Sequence, residues 1–310
     1  MMIRVFIDGS SGTTGLQIRE RLSLREDIEL ITVPFEQRHD PSVRKDAMCK
    51  ADIAFLCLPD DAAREAAGFV SEDDVILIDT STAHRTDPAW TYGLAEMAGQ
   101  RELIRKSRRI ANPGCHATGF ITLVQPLIAA GILKKDAQLD CFSLTGYSGG
   151  GKKMIAEYEA ADRSPLLKGP RMYALPQKHK HLKEMKQICG LAYEPVFCPV
   201  VADFFSGMET VITLHGGQVN GSIEDIKNCY KALYTTPLIH FSGQADENGF
   251  LSAAACSGRD DLEISVYGNE DRITLVSRFD NLGKGACGAA IQNMNIVTGL
   301  AEDTGLVWKG

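Results

Sequence analysis

The chain has 310 residues, of which 44% are hydrophobic and 24% are charged, and its formal net charge is −7. This length suggests about two domains, each large enough to bury a core of its own. The mild acidity, without a dense basic stripe, argues against a nucleic-acid-binding surface. No apolar run is long enough to span a bilayer, and the start of the chain does not resemble a signal peptide. We expect a cytoplasmic protein that contacts neither nucleic acid nor membrane.

The nine cysteines are scattered along the chain, and none forms a Cys-x-x-Cys pair. An odd and unpaired set of this kind is typical of a reduced, cytosolic protein. We therefore expect no disulfide framework, no structural zinc and no other bound metal.

The first third of the chain alternates short apolar segments with helical patterns. The predicted strands cover residues 3–7, 28–33, 53–58 and 75–78, and the predicted helices between them cover residues 16–24 and 61–69. Near-continuous apolar strands are typical of a parallel sheet that is buried on both faces. The pattern predicts a doubly wound α/β domain.

The rest of the chain predicts a second domain of the α+β class. A Gly/Lys/Pro-rich region covers residues 147–182 and contains one predicted helix, at 153–161, and such long irregular stretches are usually functional. Predicted strands at 209–215, 263–267 and 272–279, with a helix at 222–233, indicate a broad, partly antiparallel sheet. A final helix at 285–300 is apolar around much of its circumference, so it should be buried.

A glycine-rich loop follows the first predicted strand and leads into the first helix. It consists of Gly9, Ser10, Ser11, Gly12, Thr13, Thr14 and Gly15. Glycines at this spacing allow a tight turn and let backbone N–H groups approach a pyrophosphate. The spacing is G-x-x-G-x-x-G and not the commoner G-x-G-x-x-G, so a plain structural turn is the alternative.

The end of the second predicted strand should carry the residue that reads the ribose 2′ position of a dinucleotide. Glu36 would favour a free 2′-hydroxyl, as in NAD, whereas Arg38 would favour the 2′-phosphate of NADP. The residues by themselves leave both cofactors open, and both side chains could be merely solvated.

Cys115 follows Asn112, Pro113 and Gly114 and precedes an apolar helical run at 120–132. A thiol at or just before a helix N-terminus lies where unpaired N–H groups and the helix dipole favour an anion. Such a thiol can act as a nucleophile. The alternative is a packed core cysteine.

Two histidines, His179 and His181, lie on a predicted loop that leads into a helix. A thiolate that attacks a carbonyl needs an acid/base group for the proton of the resulting oxygen, and imidazole titrates in the right range. An incidental surface pair is the alternative.

Two further segments could bind an anion. A second glycine-rich loop contains Ser148 and Gly149 and ends in Lys152, so its N–H groups and ammonium charge could hold a phosphate. Arg85 follows a buried strand and could contact the same kind of group. A flexible surface turn and a surface arginine are the respective alternatives.

Together these segments resemble the N-acetyl-γ-glutamyl-phosphate reductases of arginine biosynthesis, in their shorter form. The similar segments cover residues 9–15, 79–85, 92–96, 112–119, 146–153, 179–184, 281–286 and 290–295. They occur in order and extend over nearly the whole chain. Two features depart from the pattern: His116 stands where the longer form usually has tyrosine, and the cofactor loop reads Ser-Ser-Gly-Thr-Thr-Gly.

The resemblance implies an NADP-binding Rossmann domain at 1–115 and a catalytic and oligomerisation domain at 116–284. The second domain would be an α+β domain like that of glyceraldehyde-3-phosphate dehydrogenase. A C-terminal helix within 285–310 would return to the first domain. The resemblance also implies a homo-oligomer, either a dimer or a tetramer.

The resemblance also implies roles for individual residues. Cys115 would be the nucleophile and His179 the acid/base, with His181 and Glu184 as substrate or orienting groups. We further expect Arg85, Ser148 and Lys152 to contact the substrate. The expected cofactor contacts are the loop residues 9–15, Arg38, Gly149 and Asn281.

The reaction implied is the NADPH-dependent reduction of N-acetyl-γ-glutamyl phosphate to N-acetyl-L-glutamate 5-semialdehyde and phosphate, through a thioester on Cys115. A thioester accepts hydride where a carboxylate resists it, so one difficult step becomes two easier ones. Two alternatives stay open. One is an aspartate-semialdehyde dehydrogenase that acts on aspartyl phosphate, and the other is a non-catalytic dinucleotide-binding protein with Cys115 in its core.

Overall fold

The computed structural model describes residues 2–71 and 74–309, which divide into two compact units. The first unit comprises Met1–Ala95, Gly99–Pro113 and Ala286–Leu306, and the second comprises Glu96–Ala98, Gly114–Gly285 and Val307–Gly310. The chain thus passes between units after positions 113 and 285, whereas the sequence placed these boundaries after 115 and 284. No helix in the described part of the chain is both long and apolar enough to cross a membrane.

The first unit is built on a six-stranded sheet in which every pairing is parallel. Its strands are β1 (Ile3–Asp8), β2 (Ile28–Ile31), β3 (Ile53–Leu56), β4 (Ile76–Asp79), β5 (Thr91–Tyr92) and β6 (Arg109–Ala111), in the spatial order β2-β1-β3-β4-β6-β5. The helices between them are α1 (Thr13–Leu22), α2 (Pro41–Cys49), α3 (Asp60–Ala67) and α4 (Gln100–Lys106).

Alternate residues of each strand enter opposite cores, which makes the sheet doubly wound. Val5 and Ile7 of β1 pack in one cluster with Ile18 of α1. Phe6, which lies between them on the strand, packs in the other cluster with Met48 of α2. Because both faces are covered, the strands are largely apolar, as the sequence indicated.

The second unit contains the remaining strands and four helices. The helices are α5 (Cys115–Ala129), α6 (Gly151–Glu159), α7 (His181–Cys189) and α8 (Ile223–Leu233). The strands are β7 (Asp140–Gly146), β8 (Arg171–Met172), β9 (Val196–Ala202), β10 (Met208–His215), β11 (Thr235–Thr236), β12 (Ile239–Phe241), β13 (Leu262–Gly268) and β14 (Arg272–Phe279). They form one mixed sheet in the order β11-β12-β13-β14-β10-β7-β9-β8. The expected α/β fold with a partly antiparallel second sheet is confirmed.

Strands β7 and β9, which pair in parallel next to the edge strand β8, were not predicted from the sequence. Buried Ser143 and Thr145 interrupt the apolar run of β7. Pro199 stands inside β9, where it cannot donate to a strand ladder. Polar residues in β7 and a proline in β9 thus interrupt the apolar runs on which a strand prediction depends.

Helix α5 crosses this sheet at close range. A Cβ atom at Gly119 would lie 2.3 Å from Thr210 Oγ1 of β10, so glycine permits the approach. Pro126 stands inside the helix and leaves the Thr122 carbonyl without its helical N–H partner. The Tyr234 hydroxyl donates to that carbonyl at 2.7 Å. A side chain from outside the helix thus replaces the missing bond.

The last helix, α9 (Gly288–Thr298), follows a π-helical segment at Gly283–Cys287 and belongs to the first unit. Its Ile291 and Met294 side chains pack in the same core cluster as Val5. The predicted single helix at 285–300 is therefore wrong at its start, because the chain first makes a wider turn. The burial expected from its apolar circumference is observed.

The basic segment at 101–109 is only partly a solvated helix. Helix α4 ends at Lys106, and Arg109 begins the buried strand β6. The Arg109 guanidinium donates to the carbonyls of Val75 at 2.8 Å and Val70 at 3.2 Å. Backbone carbonyl oxygens inside the fold therefore stabilise the positive charge of Arg109.

Tyr234→Phe should lower the free energy of unfolding of the second unit by about 1–2 kcal/mol, because the Thr122 carbonyl would lose its buried donor. The measurement is the urea midpoint by circular dichroism. Tyr193→Phe, at a tyrosine that is 53% exposed, serves as the control and should change it by less than about 0.5 kcal/mol. Equal stability of both variants would show that the hydroxyl does not compensate for Pro126.

Candidate functional site

The glycine-rich loop between β1 and α1 is a compact turn with little room for side chains. Gly9 has φ +86°, and a Cβ there would lie 2.2 Å from the Cys57 carbonyl oxygen. A Cβ at Gly15 would lie 2.5 Å from the Gly9 oxygen. Helix α1 begins directly after Gly12, and no side chain of the described residues caps it. Its first N–H groups can therefore face an anion, which fits a dinucleotide pyrophosphate.

A buried ion pair fixes the strand end that precedes this loop. Arg44 of α2 donates to the Asp8 carboxylate, with Nη2 3.0 Å from Oδ2, and both side chains are almost fully buried. Burial raises the pKa of Asp8, and the hydrogen bonds from Arg44 work against that rise. The sequence did not reveal this pair, because helix α2 itself was not predicted.

Arg38 lies in the turn after β2, at the position expected for a ribose-reading residue. Its guanidinium carbon stands 3.6 Å from the centroid of the Phe35 ring, and its Nη1 donates to the Phe35 carbonyl at 2.6 Å. Glu36, in the same turn, is exposed. Arg38 is thus held at a partly exposed position by a stacking contact.

Arg85 is buried, with its Nε donating to the Asn112 carbonyl at 2.9 Å and its Nη2 to the Thr80 carbonyl at 2.9 Å. The alternative of a surface arginine is therefore wrong. Much of the guanidinium is engaged with the backbone, so Arg85 braces the segment that leads to the Asn-Pro-Gly-Cys turn.

Asn112 is held on every side within the first unit. Its N–H donates to the Asp79 carbonyl at 2.7 Å, and its Nδ2 donates to the Ala286 carbonyl at 3.0 Å. Asn293 of α9 donates to the Asn112 Oδ1 at 3.2 Å and to the Gly93 carbonyl at 2.9 Å. Asn293 was not predicted as a site residue, although its segment contributes to the resemblance.

Cys115 is the first residue of α5, in the second unit, and it is half-buried. Gly114 precedes it with extended backbone, and the Gly114 N–H donates to Glu184 Oε1 of α7 at 2.9 Å. Glu184 is 2% exposed. A Cβ at Gly285 would lie only 3.0 Å from the Cys115 Cβ, so a glycine there keeps space beside the thiol. The structure thus brings Cys115, Glu184 and Gly285 together.

His179 lies in a cluster of rings from different parts of the second unit. Its ring centroid is 4.7 Å from that of His181, 5.1 Å from Phe197, 5.8 Å from His116 and 6.0 Å from Tyr173. The His181 N–H donates to His179 Nδ1 at 3.2 Å. Because Nδ1 accepts, the neutral ring carries its proton on Nε2.

Ser148, Gly149 and Asn281 meet at a second place in this unit. Asn281 is buried, its Nδ2 donates to Ser148 Oγ at 2.9 Å, and its Oδ1 accepts from the Gly207 N–H at 2.9 Å. A Cβ at Gly149 would lie 3.3 Å from Asn281 Nδ2. Lys152, on the first turn of α6, is exposed and has no described contact with this group.

The sequence missed a second buried ion pair, between Lys284 and Glu96. Lys284 Nζ lies 2.6 Å from Glu96 Oε1, and the two side chains are 1% and 2% exposed. Each residue belongs to a segment on which the family resemblance depends. That membership was the only signal in the sequence, because the two residues are far apart along the chain.

The nine cysteines are free thiols, and their surroundings differ. Burial raises the pKa of Cys57 to about 12 and that of Cys256 to about 11, and it also raises those of Cys141 and Cys189. Over residues 2–71 and 74–309, no group of three or more His, Cys, Asp or Glu side chains is arranged to hold a metal ion.

Comparison with known proteins defines the class first. A family model described as "Semialdehyde dehydrogenase, dimerisation domain" matches residues 115–281, and one described as "Semialdehyde dehydrogenase, NAD binding domain" matches residues 33–107. The fold is similar to that of aspartate semialdehyde dehydrogenase II of Vibrio cholerae. The TM-score is 0.71 at 18% identity, over 96% of this chain and 98% of that one. The chain is thus of the semialdehyde dehydrogenase class.

Two more similar proteins define the family within this class. A Nostoc sp. protein named N-acetyl-gamma-glutamyl-phosphate reductase 2 is 42% identical over 321 residues, which cover 98% of this chain and 99% of that one. The Brucella ovis protein named N-acetyl-gamma-glutamyl-phosphate reductase is also 42% identical, over 96% of this chain and all of its own. The chain belongs to the N-acetyl-gamma-glutamyl-phosphate reductase family.

Glu184→Ala should lower the free energy of unfolding by about 1–3 kcal/mol, because the buried Gly114 N–H would lose its acceptor. Glu184→Gln keeps an amide oxygen there and should lose less. Urea unfolding of both variants, with exposed Lys183→Ala as the control, measures the difference. If the alanine and glutamine variants were equally stable, the hydrogen bond would not stabilise the start of α5.

Proposed function

We propose that this chain reduces N-acetyl-γ-glutamyl phosphate to N-acetyl-L-glutamate 5-semialdehyde and phosphate with NADPH, in arginine biosynthesis. The observation that carries this proposal is the position of Cys115 as the first residue of α5. Full-length relatives at 42% identity bear the name of this activity.

Cys115 is the proposed nucleophile. Its thiolate attacks the acyl carbon, the bond from that carbon to the phosphate oxygen breaks, and a thioester forms as phosphate leaves. The start of a helix favours the thiolate, because its N–H groups and dipole stabilise negative charge. The glycine at 285 avoids the contact that a Cβ there would make with Cys115.

His179 is the proposed acid/base. NADPH, when bound, supplies the hydride that reduces the thioester carbonyl to a hemithioacetal. In its imidazolium form His179 gives a proton to the hemithioacetal oxygen, and the neutral ring takes it back as the carbon–sulfur bond breaks, which frees the aldehyde and the Cys115 thiolate. Nε2 is the ring nitrogen that exchanges this proton, because Nδ1 faces the His181 N–H.

Contacts in the structure support the proposed roles of some of the remaining predicted residues more than others. Glu184 acts as an orienting group through its bond to Gly114, and His181 packs against His179. Ser148 and Gly149 form a polar turn held by Asn281, which supports a role in binding substrate phosphate or cofactor. Lys152 and Arg85 remain proposed substrate contacts, and Arg38 with loop 9–15 the proposed NADP contacts.

We also infer a cytoplasmic homo-oligomer, a dimer or a tetramer, that forms through the second unit. Phe142 of β7 is 43% exposed and Val196 of β9 is 53% exposed. Both project from the sheet face opposite Ser143, which contacts α5 through His116. An apolar sheet face of this kind needs a cover, and a second copy of the chain would supply it. The matching family model is described as a dimerisation domain.

Cys115→Ser should leave NADPH binding intact and lower turnover of the acyl phosphate by a factor on the order of 10³ or more, because serine is a far weaker nucleophile. NADPH oxidation and cofactor fluorescence titration measure the two properties. Cys49→Ser, at an exposed thiol, is the matched control and should keep full activity. A serine variant as active as the unaltered protein would remove Cys115 from the mechanism.

Assays with two acyl phosphates distinguish this activity from that of the structurally similar aspartate enzymes. The value of kcat/KM for N-acetyl-γ-glutamyl phosphate should exceed that for aspartyl phosphate by about 100-fold or more, because the two substrates differ in chain length and in charge at nitrogen. The same assays with NADPH and NADH test the cofactor. Activity with aspartyl phosphate alone would contradict the proposal.

A further inference from the structure

We propose that His116 is a positioning residue for this reaction, which as an uncharged imidazole holds Tyr173 and the ring of His179 in place. The proposal rests on the proposed function, since it assumes that Cys115 and His179 perform the chemistry. It assigns a role to the one residue of the Asn-Pro-Gly-Cys-His segment that departs from the tyrosine of the longer form of the family.

His116 is 3% exposed, and both of its ring nitrogens have hydrogen-bond partners. Its Nδ1 lies 2.7 Å from Ser143 Oγ of β7, and its Nε2 lies 2.7 Å from the Tyr173 hydroxyl. Ser143 Oγ lies in turn 3.1 Å from Thr210 Oγ1 of β10. A buried chain of hydrogen bonds thus extends from the sheet, through His116, to Tyr173.

This chain of hydrogen bonds ends among the rings that surround His179. The centroids of His116 and Tyr173 lie 5.8 Å and 6.0 Å from that of His179. Phe197 of β9 lies 5.2 Å from His116 and 5.1 Å from His179. Because His116 and Tyr173 fix each other, two of the rings that contact His179 cannot reorient independently.

The charge of His116 matters because other titratable groups face it. They are His179, His181 and Tyr173, with Cys115 adjacent on the same helix, whereas Ser143, Thr210 and Phe197 are neutral. Burial, with the neighbouring charge of His179, lowers the pKa of His116 to about 3. His116 therefore stays neutral near pH 7 and does not compete with His179 for a proton.

Tyr173 also keeps its proton. Burial raises the pKa of Tyr173, and a negative charge on Cys115 would raise it further. A neutral imidazole has one N–H, so when Nδ1 accepts from Ser143, Nε2 donates to the Tyr173 oxygen and the phenolic O–H is left to donate elsewhere. The pair His116–Tyr173 can thus present an oriented hydroxyl donor in the neighbourhood of the Cys115 sulfur.

His116→Phe removes both hydrogen bonds and keeps an aromatic ring. We expect kcat to fall about 10- to 100-fold with the NADPH dissociation constant unchanged, because misplacing an acid/base group forfeits part of its contribution. The upper pH at which kcat falls to half should move down by about 0.5 unit or more. The reason is that a phenyl ring stabilises the imidazolium form of His179 less well than the polar imidazole of His116 does. kcat and its pH dependence come from NADPH oxidation rates between about pH 5.5 and about pH 9, which brackets the titration of imidazole. The NADPH dissociation constant comes from cofactor fluorescence titration.

Three further variants separate positioning from packing. His116→Gln can still bond Tyr173 and should recover most of kcat, Tyr173→Phe should repeat the pH displacement in a smaller form, and exposed His215→Gln should change neither. Thermal unfolding shows whether each variant is folded. If His116→Phe does not fold, the Tyr173→Phe profile decides the question.

Two results would overturn the proposal. One is an unchanged kcat in His116→Phe, or in Tyr173→Phe if the first variant does not fold. The other is a lower kcat with an unmoved pH profile, which would assign His116 to packing alone. Failure of the proposed function looks different, because the unaltered protein would then not reduce the acyl phosphate, or Cys115→Ser would remain active.

Discussion

The hydrogen bond from the Gly114 N–H to the Glu184 carboxylate fixes the start of α5 and so the position of the Cys115 sulfur. It joins the start of α5 to α7 across a distance of 70 residues in sequence, and both groups are buried. A carboxylate at a helix N-terminus also suits the helix dipole. In the proposed mechanism this helix start admits a substrate, and the glycine at 285 avoids the contact that a Cβ there would make with Cys115. Glu184 thus fixes the backbone at the start of α5, whereas Gly285 avoids crowding the thiol.

Several polar groups in each unit are buried in pairs. Asp8 with Arg44, Lys284 with Glu96, and Asn281 with Ser148 each place a charged or amide group where water does not reach. The two ion pairs add little stability over apolar residues, but removal of one partner leaves an uncompensated charge that costs several kcal/mol. Such pairs fix the positions of the segments that carry them, because a buried pair must keep the arrangement that satisfies both partners.

The sequence predicted those parts of the fold whose signals are local. The parallel sheet follows from four apolar segments, and the glycine loop and the position of Cys115 at a helix start are readable from adjacent residues. Strands β7 and β9 were missed because buried Ser143 and an internal Pro199 hide their pattern. Lys284 and Glu96 lie 188 residues apart, and Arg44 belongs to an unpredicted helix. Long-range pairings of this kind leave no periodicity, so only a three-dimensional structure reveals them.

The discontinuous first unit has a consequence for the order in which the chain can fold during synthesis. Its core includes Ile291 and Met294 of α9, so it cannot be completed until nearly the whole chain has been made. The second unit lies mostly between positions 114 and 285, so most of it emerges earlier. Until α9 has been made, one face of the sheet β1–β6 therefore lacks part of its packing partner, although most of the second unit has already been synthesised. A sheet with exposed apolar surface is prone to aggregate during synthesis, and chaperones bind surfaces of this kind.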